Sequence, residues 1–240
     1  MTTTEAVLLY SAGAAAAAGL GAFPFAFLDR LPAAVIGWAN ALAAGLMLGA
    51  AHLLALRGLD LSPFGGSGGA VAGAAGVWIA HALSGGAAVA LPTTREGALI
   101  RASLHSAGEG VAIGAAILVS EGLGAFVAAG IAAHNVPEAM ALCSTLRRTG
   151  VTFRESALLA ILANSTQVLL SVAAVLFVGF APASLGAVLG LAAGALVYLV
   201  LVDLLPESYA LAGKKSIALA TCVALGAIVL FGGGGGPVPR

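Results

Sequence analysis

The sequence predicts an all-α, polytopic membrane protein with eight transmembrane helices in a single domain over residues 1–240. Of its 240 residues, 60% are hydrophobic and only 8% are charged, whereas soluble domains carry about 25% charged residues. A membrane-spanning helix needs about 20 mostly apolar residues, and apolar runs of that length recur along the chain. The formal net charge of zero and the lack of a basic patch exclude a nucleic-acid partner.

The positions of the eight spans follow from cutting the apolar runs at charged residues and at proline and glycine clusters. The charged, proline-containing link 29–32 separates the first two runs. The glycine-rich stretch 60–69 is expected to form a loop before the third span. The predicted spans are 5–28, 33–57, 68–91, 98–119, 123–144, 154–180, 183–205 and 214–232.

Charged or proline-containing links also separate the later spans. Residues 92–96 precede the fourth span, 121–122 separate the fourth span from the fifth, and the basic stretch 147–154 precedes the sixth. The link 181–183 contains a proline, and 207–215 carries two lysines before the last span. Because these links are short, neighbouring spans are expected to run antiparallel.

The distribution of basic residues predicts the orientation in the membrane. If the N-terminus is outside, only Arg57 and Arg240 lie on the outer side. The eight basic residues on the inner side are then Arg30, Arg95, Arg101, Arg147, Arg148, Arg154, Lys214 and Lys215. This asymmetry obeys the positive-inside rule, so both termini are expected on the non-cytoplasmic side. The N-terminal residues carry no positive charge ahead of the first apolar run, so no cleavable signal peptide is expected.

Two copies of one pattern place a histidine and a glutamate four residues apart inside apolar runs: His105 with Glu109, and His134 with Glu138. On a helix this spacing puts both side chains on one face. An ionisable side chain in a bilayer costs about 2.5–3.5 kcal/mol on insertion scales, so four of them indicate a function. Imidazole nitrogens and carboxylate oxygens are ligands that zinc and similar cations bind. The pairs therefore predict a metal site between helices 4 and 5.

The two pairs are expected to lie at the same depth in the membrane. Each pair is about 15 residues from the link 121–122, which corresponds to about 20 Å along a helix. The pairs can therefore face each other across one site. Two alternatives remain for these side chains, namely hydrogen-bonded packing and an ion pair without a metal.

Neutral polar residues lie next to the predicted site. Ser106 and Asn135 follow the two histidines and are turned about 100° around their helices. Asn164, Ser165 and Gln167 form a polar cluster in the sixth span. These side chains could complete a metal site, but hydrogen bonding between helices is an equally good interpretation of the cluster.

Several motifs occur in an order that is similar to one known family. The fourth and fifth spans contain HSAGEG at 105–110 and HNVPEA at 134–139. GLGAFPFAF stands at 20–28, ALAAGLMLGAA at 41–51 and AAGALVYLVLVDLLPES at 192–208. In these motifs the chain resembles the ZIP family of zinc/iron-regulated metal transporters, and most of all its compact bacterial type. The resemblance extends over nearly the whole sequence.

The resemblance implies eight helices with both termini outside the cytoplasm, and import of a divalent cation that often involves a two-metal site. It implies that the first metal is bound by His105, Glu109, His134 and Glu138. It implies that the second metal shares the two glutamates and is also bound by Ser106, Asn135 and Gln167.

The chain departs from the family pattern at three positions in or beside these motifs. Ser106 stands where asparagine is common, Ala139 replaces the usual glycine, and Gln167 is found where the family often has glutamate. The long histidine-rich loop that family members carry after the third helix is absent. A second site without the extra carboxylate is expected to bind its ion weakly.

These observations predict a transporter that imports Zn²⁺, with Fe²⁺, Mn²⁺ or Co²⁺ as alternative substrates, and not an enzyme. The cation is the cargo, and no resident cofactor is expected. The expected location is the cell membrane, as a multi-pass protein of the bacterial inner membrane, with metal ions and the lipid bilayer as partners. Small residues in the helices permit a homodimer without requiring one.

Three other functions stay open from the sequence. A membrane-embedded metalloenzyme needs an open metal position and a nearby general base, and the sequence contains no His-Glu-x-x-His pattern. A metal sensor would bind the ion without moving it. A proton carrier would use the same carboxylates without a metal.

Overall fold

A computed structural model of the chain describes residues 1–83 and 94–232, and every element within these two ranges is helical. The α-helices are α1 Thr3–Ala17, α2 Ala33–Leu61, α3 Pro63–Leu83, α4 Arg95–Val119, α5 Glu121–Arg148, α6 Phe153–Asn164, α7 Thr166–Phe180, α8 Leu185–Leu199, α9 Leu205–Ala212 and α10 Lys214–Gly232. A 3₁₀ segment, Ala18–Ala26, extends α1, and a π-helical segment, Val200–Leu204, joins α8 to α9.

Seven stretches of the described chain are long and apolar enough to cross a membrane. They are Thr3–Ala26, Ala33–Leu61, Arg95–Val119, Glu121–Arg148, Phe153–Phe180, Pro182–Ala212 and Lys214–Phe231. The prediction of an all-α, polytopic membrane protein is thereby confirmed. The third predicted span, 68–91, is helical up to Leu83, and its remainder lies outside the described residues. Glycines and His81 lower the hydropathy of α3, which explains why it is not among the seven. The orientation of the two termini stays a prediction.

The predicted loop at 60–69 is wrong. Helix α2 continues to Leu61 and α3 begins at Pro63, so Ser62 alone separates them. Pro63 suits the first position of a helix because its missing N–H would have no intrahelical partner there. The Ser62 hydroxyl accepts a hydrogen bond from the Gly65 N–H at 3.0 Å, which caps the new helix.

The glycines that suggested a loop serve helix packing instead. Helix α3 packs along α8, and the two backbones touch at glycine positions on both helices. A Cβ atom at Gly190 would overlap the carbonyl group of Gly66, and one at Gly194 would overlap the carbonyl group of Ala70. Between helices in lipid, small residues allow this close approach, so a glycine cluster does not indicate a turn there.

Two further predicted spans differ strongly from the structure, whereas the bounds of the first, second, fourth and fifth spans differ by a few residues at their ends. The sixth, 154–180, is divided at Ser165 into α6 and α7. The seventh, predicted to end at 205, continues through the π-helical segment and α9 to Ala212. The predicted link 207–215 is therefore reduced to Gly213, whose φ of +82° favours glycine.

Helices α4 and α5 form the centre of the molecule and run antiparallel, with only Ser120 between them. The Ser120 hydroxyl accepts a hydrogen bond from the Leu123 N–H at 3.1 Å and so begins α5. Helix α4 packs against α7 and α8, whereas α5 packs against α1 and α2. Polar side chains on the facing sides of α4 and α5 are thus enclosed by other helices.

We expect Gly194→Ala to lower the stability of the protein by about 1–3 kcal/mol, the usual cost of overpacking. The added methyl group must push α8 away from the α3 backbone at Ala70. The matched control is Gly76→Ala in α3, where a Cβ meets nothing within 4 Å. The control should be neutral or slightly stabilising because alanine favours helix. Thermal unfolding in detergent measures both, and equal melting temperatures would contradict the packing assigned to α3 and α8.

Candidate metal centre

The two His/Glu pairs meet between α4 and α5. His105 and Glu109 come from α4, and His134 and Glu138 come from α5. One potential ligand atom from each of the four side chains lies within 4.8 Å of all the others. The four-residue spacing within each helix and the short connection at Ser120 account for this arrangement, because together they place both pairs on facing sides at one depth.

Glu109 connects the two imidazoles. Its Oε1 atom lies 2.8 Å from Nε2 of His134 and 3.4 Å from Nε2 of His105. The same His105 nitrogen lies 3.5 Å from Oε2 of Glu138. In a tetrahedral zinc site with bonds of about 2.1 Å, neighbouring ligand atoms are about 3.4 Å apart. Two of the three observed spacings, 3.4 and 3.5 Å, are close to this value.

The cluster is deeply buried, and its polar atoms are incompletely paired. Glu109, His105 and His134 are 0%, 3% and 1% exposed. Within the described ranges, Oε2 of Glu109, Nδ1 of His134 and Oε2 of Glu138 have no hydrogen-bond partner. Buried polar atoms without partners cost free energy. A bound cation would satisfy carboxylate oxygens, and two carboxylates with a divalent ion form a neutral group.

One side of the cluster opens into a cavity. His105 and Glu138 line it, whereas Glu109 and His134 lie behind them. The cavity follows the first half of α4 and the second half of α5, which lie at the same side of the molecule because the helices are antiparallel. Its other lining residues are Asn40, Ala98, Arg101, Ala102, Ala141, Leu142, Thr145 and Glu207. An ion can therefore reach or leave the cluster through His105 and Glu138.

Asn135 and Gln167 are close to each other but are used for hydrogen bonds between helices. The Asn135 amide donates to the Ala14 carbonyl at 2.8 Å and to Oε1 of Gln167 at 3.4 Å. The Gln167 amide donates to the Ser11 carbonyl at 2.9 Å. These bonds join α5 and α7 to α1. Oδ1 of Asn135 lacks a hydrogen-bond partner in the described part of the chain and is available for a ligand, whereas Oε1 of Gln167 already accepts one hydrogen bond.

The remaining polar neighbours also serve packing. The Ser106 hydroxyl lies 2.5 Å from the Thr166 hydroxyl and 3.4 Å from the Ala163 carbonyl. The Asn164 amide donates to the Ala160 carbonyl in its own helix at 2.9 Å. The observed contacts of the polar cluster are thus hydrogen bonds between or within helices. This was one of the two interpretations that the sequence left open.

Two residues near the cluster were not predicted from the sequence to belong to the site. Met47 of α2 is fully buried, and its Sδ atom lies 3.3 Å from Nε2 of His105. Arg101, counted above among the basic residues of the inner side, lies within α4, one turn before His105. The spacing of 101, 105 and 109 is a signal that could have placed Arg101 on the ligand face. The apolar context of Met47 contains no such signal.

Comparison with known proteins identifies relatives of the chain. Residues 94–232 match the family model for ZIP zinc transporters, and this range includes α4 through α10. A protein of Arabidopsis thaliana, described as a candidate zinc transporter, is 30% identical over 238 residues. The match covers 93% of this chain and 38% of the relative, so the chain spans well under half of that protein's length.

Replacing Glu109 or His134 by alanine should weaken Zn²⁺ binding by more than about 100-fold, beyond the effect typical of residues outside the ligand shell. Each change removes one of four potential ligands. Asn164→Ala is the control, since among the described residues the Asn164 side-chain N–H donates to the Ala160 carbonyl of its own helix. Competition with a chromophoric chelator, using protein in detergent, measures the affinities. Similar affinities for all three variants would show that the ion binds elsewhere.

Proposed function

Because the chain belongs to the ZIP zinc transporter family, we propose that it moves Zn²⁺ across a membrane through the His/Glu cluster between α4 and α5. The family consists of transporters and not of enzymes, so the metalloenzyme alternative does not apply. The matched range, 94–232, contains both helices of the cluster. The Arabidopsis relative, which carries a zinc transporter description, supports the same substrate.

The convergence of His105, Glu109, His134 and Glu138 is the observation that carries this proposal. In a bilayer, buried carboxylates without a cation are expensive. A divalent ion offsets that cost by providing two positive charges among two acidic side chains. Since the ligands come from two helices, a small relative movement of α4 and α5 is enough to loosen the site and release the ion.

The ligand chemistry suits a transported zinc ion. None of the four side chains is a thiolate, and sites without thiolate hold zinc less tightly than cysteine sites do, which suits an ion that must leave again. The usual affinity order at nitrogen and oxygen sites favours zinc over iron and manganese. Fe²⁺, Mn²⁺ and Co²⁺ remain alternative substrates, and competition during uptake is the way to order them.

A second ion, bound next to the first, is supported more weakly. It would share Glu109 and Glu138 and use oxygens of Ser106, Asn135 and Gln167. Asn135 Oδ1 and Glu109 Oε2 have no hydrogen-bond partner among the described residues, which favours such binding. Oε1 of Gln167, however, accepts a hydrogen bond from Asn135. We therefore propose a first metal site formed by the four His/Glu side chains and a second metal site of much lower affinity.

Import into the cytoplasm is the direction we propose. The cavity runs from the cluster along the half of α4 that begins at Arg95, the side that the basic residues assign to the cytoplasm. The structure would then represent a state from which the ion can leave inward. Location in a bacterial inner membrane and association into a homodimer stay predictions.

In liposomes, His105→Ala and Glu138→Ala should each reduce Zn²⁺ uptake by more than about 90%, because both remove a cavity-facing ligand. His52→Ala is the matched control, since His52 is an exposed imidazole of α2 outside the cluster. A zinc-sensitive dye inside the vesicles reports uptake, and the amount of inserted protein is measured for each sample.

Uptake at the control level in both cluster variants would refute the site. Zinc binding without uptake by the unaltered protein would identify a metal sensor. Proton flux that does not depend on zinc would identify a proton carrier. In each of these cases the proposed function is wrong.

A further inference from the structure

A second group of ionisable side chains lies beside the His/Glu cluster, on four different elements. Its members are His81 of α3, Arg101 of α4, Asp203 of the π-helical segment and Glu207 of α9. Nη2 of Arg101 lies 3.1 Å from Oε2 of Glu207 and 3.9 Å from Oδ1 of Asp203. Nε2 of His81 lies 3.5 Å from the other oxygen of Asp203.

One guanidinium nitrogen thus forms ion pairs with two carboxylates. Asp203 is only 5% exposed. Its Oδ2 atom and Nδ1 of His81 have no hydrogen-bond partner in the described ranges. Without the guanidinium, the two carboxylates would lack a positive charge, and the His81 imidazole lies against the other oxygen of Asp203. Carboxylate oxygens and imidazole nitrogens are ligands that divalent cations accept.

Stability gives no sufficient reason for this ion pair. A buried salt bridge is weak evidence for stability, because the cost of removing both charges from water offsets their attraction. The cost falls mainly on Asp203, whose side chain is 4% exposed, because Arg101 is 27% exposed and lies less than two turns from the start of α4. A buried aspartate within a membrane span calls for a functional explanation.

Arg101 lies on the way out of the His/Glu cluster. It precedes His105 by one helical turn, and both residues line the same cavity, together with Glu138 and Glu207. An ion that leaves through this cavity passes within reach of Glu207 and of the guanidinium. Arginine does not lose its charge in proteins, so the positive charge stays there under all physiological conditions.

We propose that Arg101 is a tethered cation that occupies a second divalent-cation site formed by His81, Asp203 and Glu207. By holding the two carboxylates, it prevents the departing ion from being captured there, and its charge repels the ion onward. This inference deepens the proposed function and rests on it, since it concerns the fate of the ion after the His/Glu cluster. Arg101 is accordingly a residue that controls release rather than a ligand.

Metal content tests this proposal directly. Purified protein is dialysed against buffered Zn²⁺, and bound zinc per chain is measured by mass spectrometry. Arg101→Gln should bind one more ion per chain than the unaltered protein, because a freed carboxylate pair accepts a divalent charge. Arg101→Lys keeps the charge and should not gain the ion. Arg101→Gln combined with Asp203→Asn and Glu207→Gln should lose the gain.

Uptake provides a second readout that a merely structural role would not produce. Arg101→Gln should transport Zn²⁺ several-fold more slowly while binding more of it, because the ion is trapped on its way out. An unchanged zinc count in a variant with normal helix content and melting temperature would overturn the proposal. If Arg101→Gln does not fold, Glu207→Gln is used instead. That change frees the guanidinium in the cavity and should weaken zinc binding at the cluster, so an unchanged affinity overturns the proposal as well.

The proposed function and this inference fail in different ways. If the unaltered protein binds and transports no zinc, the proposed function fails. The difference of one ion between Arg101→Gln and the unaltered protein is still measurable then. The same difference should appear in a His105→Ala background, which removes a ligand of the first cluster and leaves the second group intact.

Discussion

The fold depends on the cost of ionisable side chains inside a membrane. Glu109 is completely buried, and the protein accommodates it by placing one of its carboxylate oxygens between two imidazoles. That arrangement requires α4 and α5 to lie face to face at one register, with other helices shielding them from lipid. The short turn at Ser120 and the surrounding helices α1, α2, α7 and α8 meet this requirement.

Small residues make the enclosure tight and thereby decide which polar groups reach the cluster. A Cβ atom at Gly110 would overlap the backbone of Gln167, and one at Gly114 would meet the backbone of Ser171. The backbone of α7 therefore lies directly on α4. From that position the Gln167 amide N–H reaches the Ser11 carbonyl of α1. A glycine contact on one helix thus determines the role of a glutamine on another.

The central pairs could be predicted because their information is local. A four-residue spacing on each helix and a short link between the helices define the facing positions of His105, Glu109, His134 and Glu138. The partners of Gln167 and Arg101 could not be predicted in this way, because they come from α1, α9 and the π-helical segment, far along the chain. The loop expected at 60–69 was wrong for a related reason: a glycine cluster marks a turn in water but a helix contact in lipid.

The side chains of α4 change from positive at Arg101 to negative at Glu109 within about two turns, and these charges would act on an ion that moves along the helix. Glu109 lies in the His/Glu cluster next to the cavity, and Arg101, two turns earlier on the same helix, lines the cavity itself. A path lined only by acidic groups would hold a divalent ion at each of them, and strong binding slows release. Pairing Asp203 and Glu207 with a fixed guanidinium reduces the net negative charge beside the cavity while keeping both carboxylates in place. On the proposed path, strong attraction for the ion is then confined to the His/Glu cluster, whose ligands come from two helices.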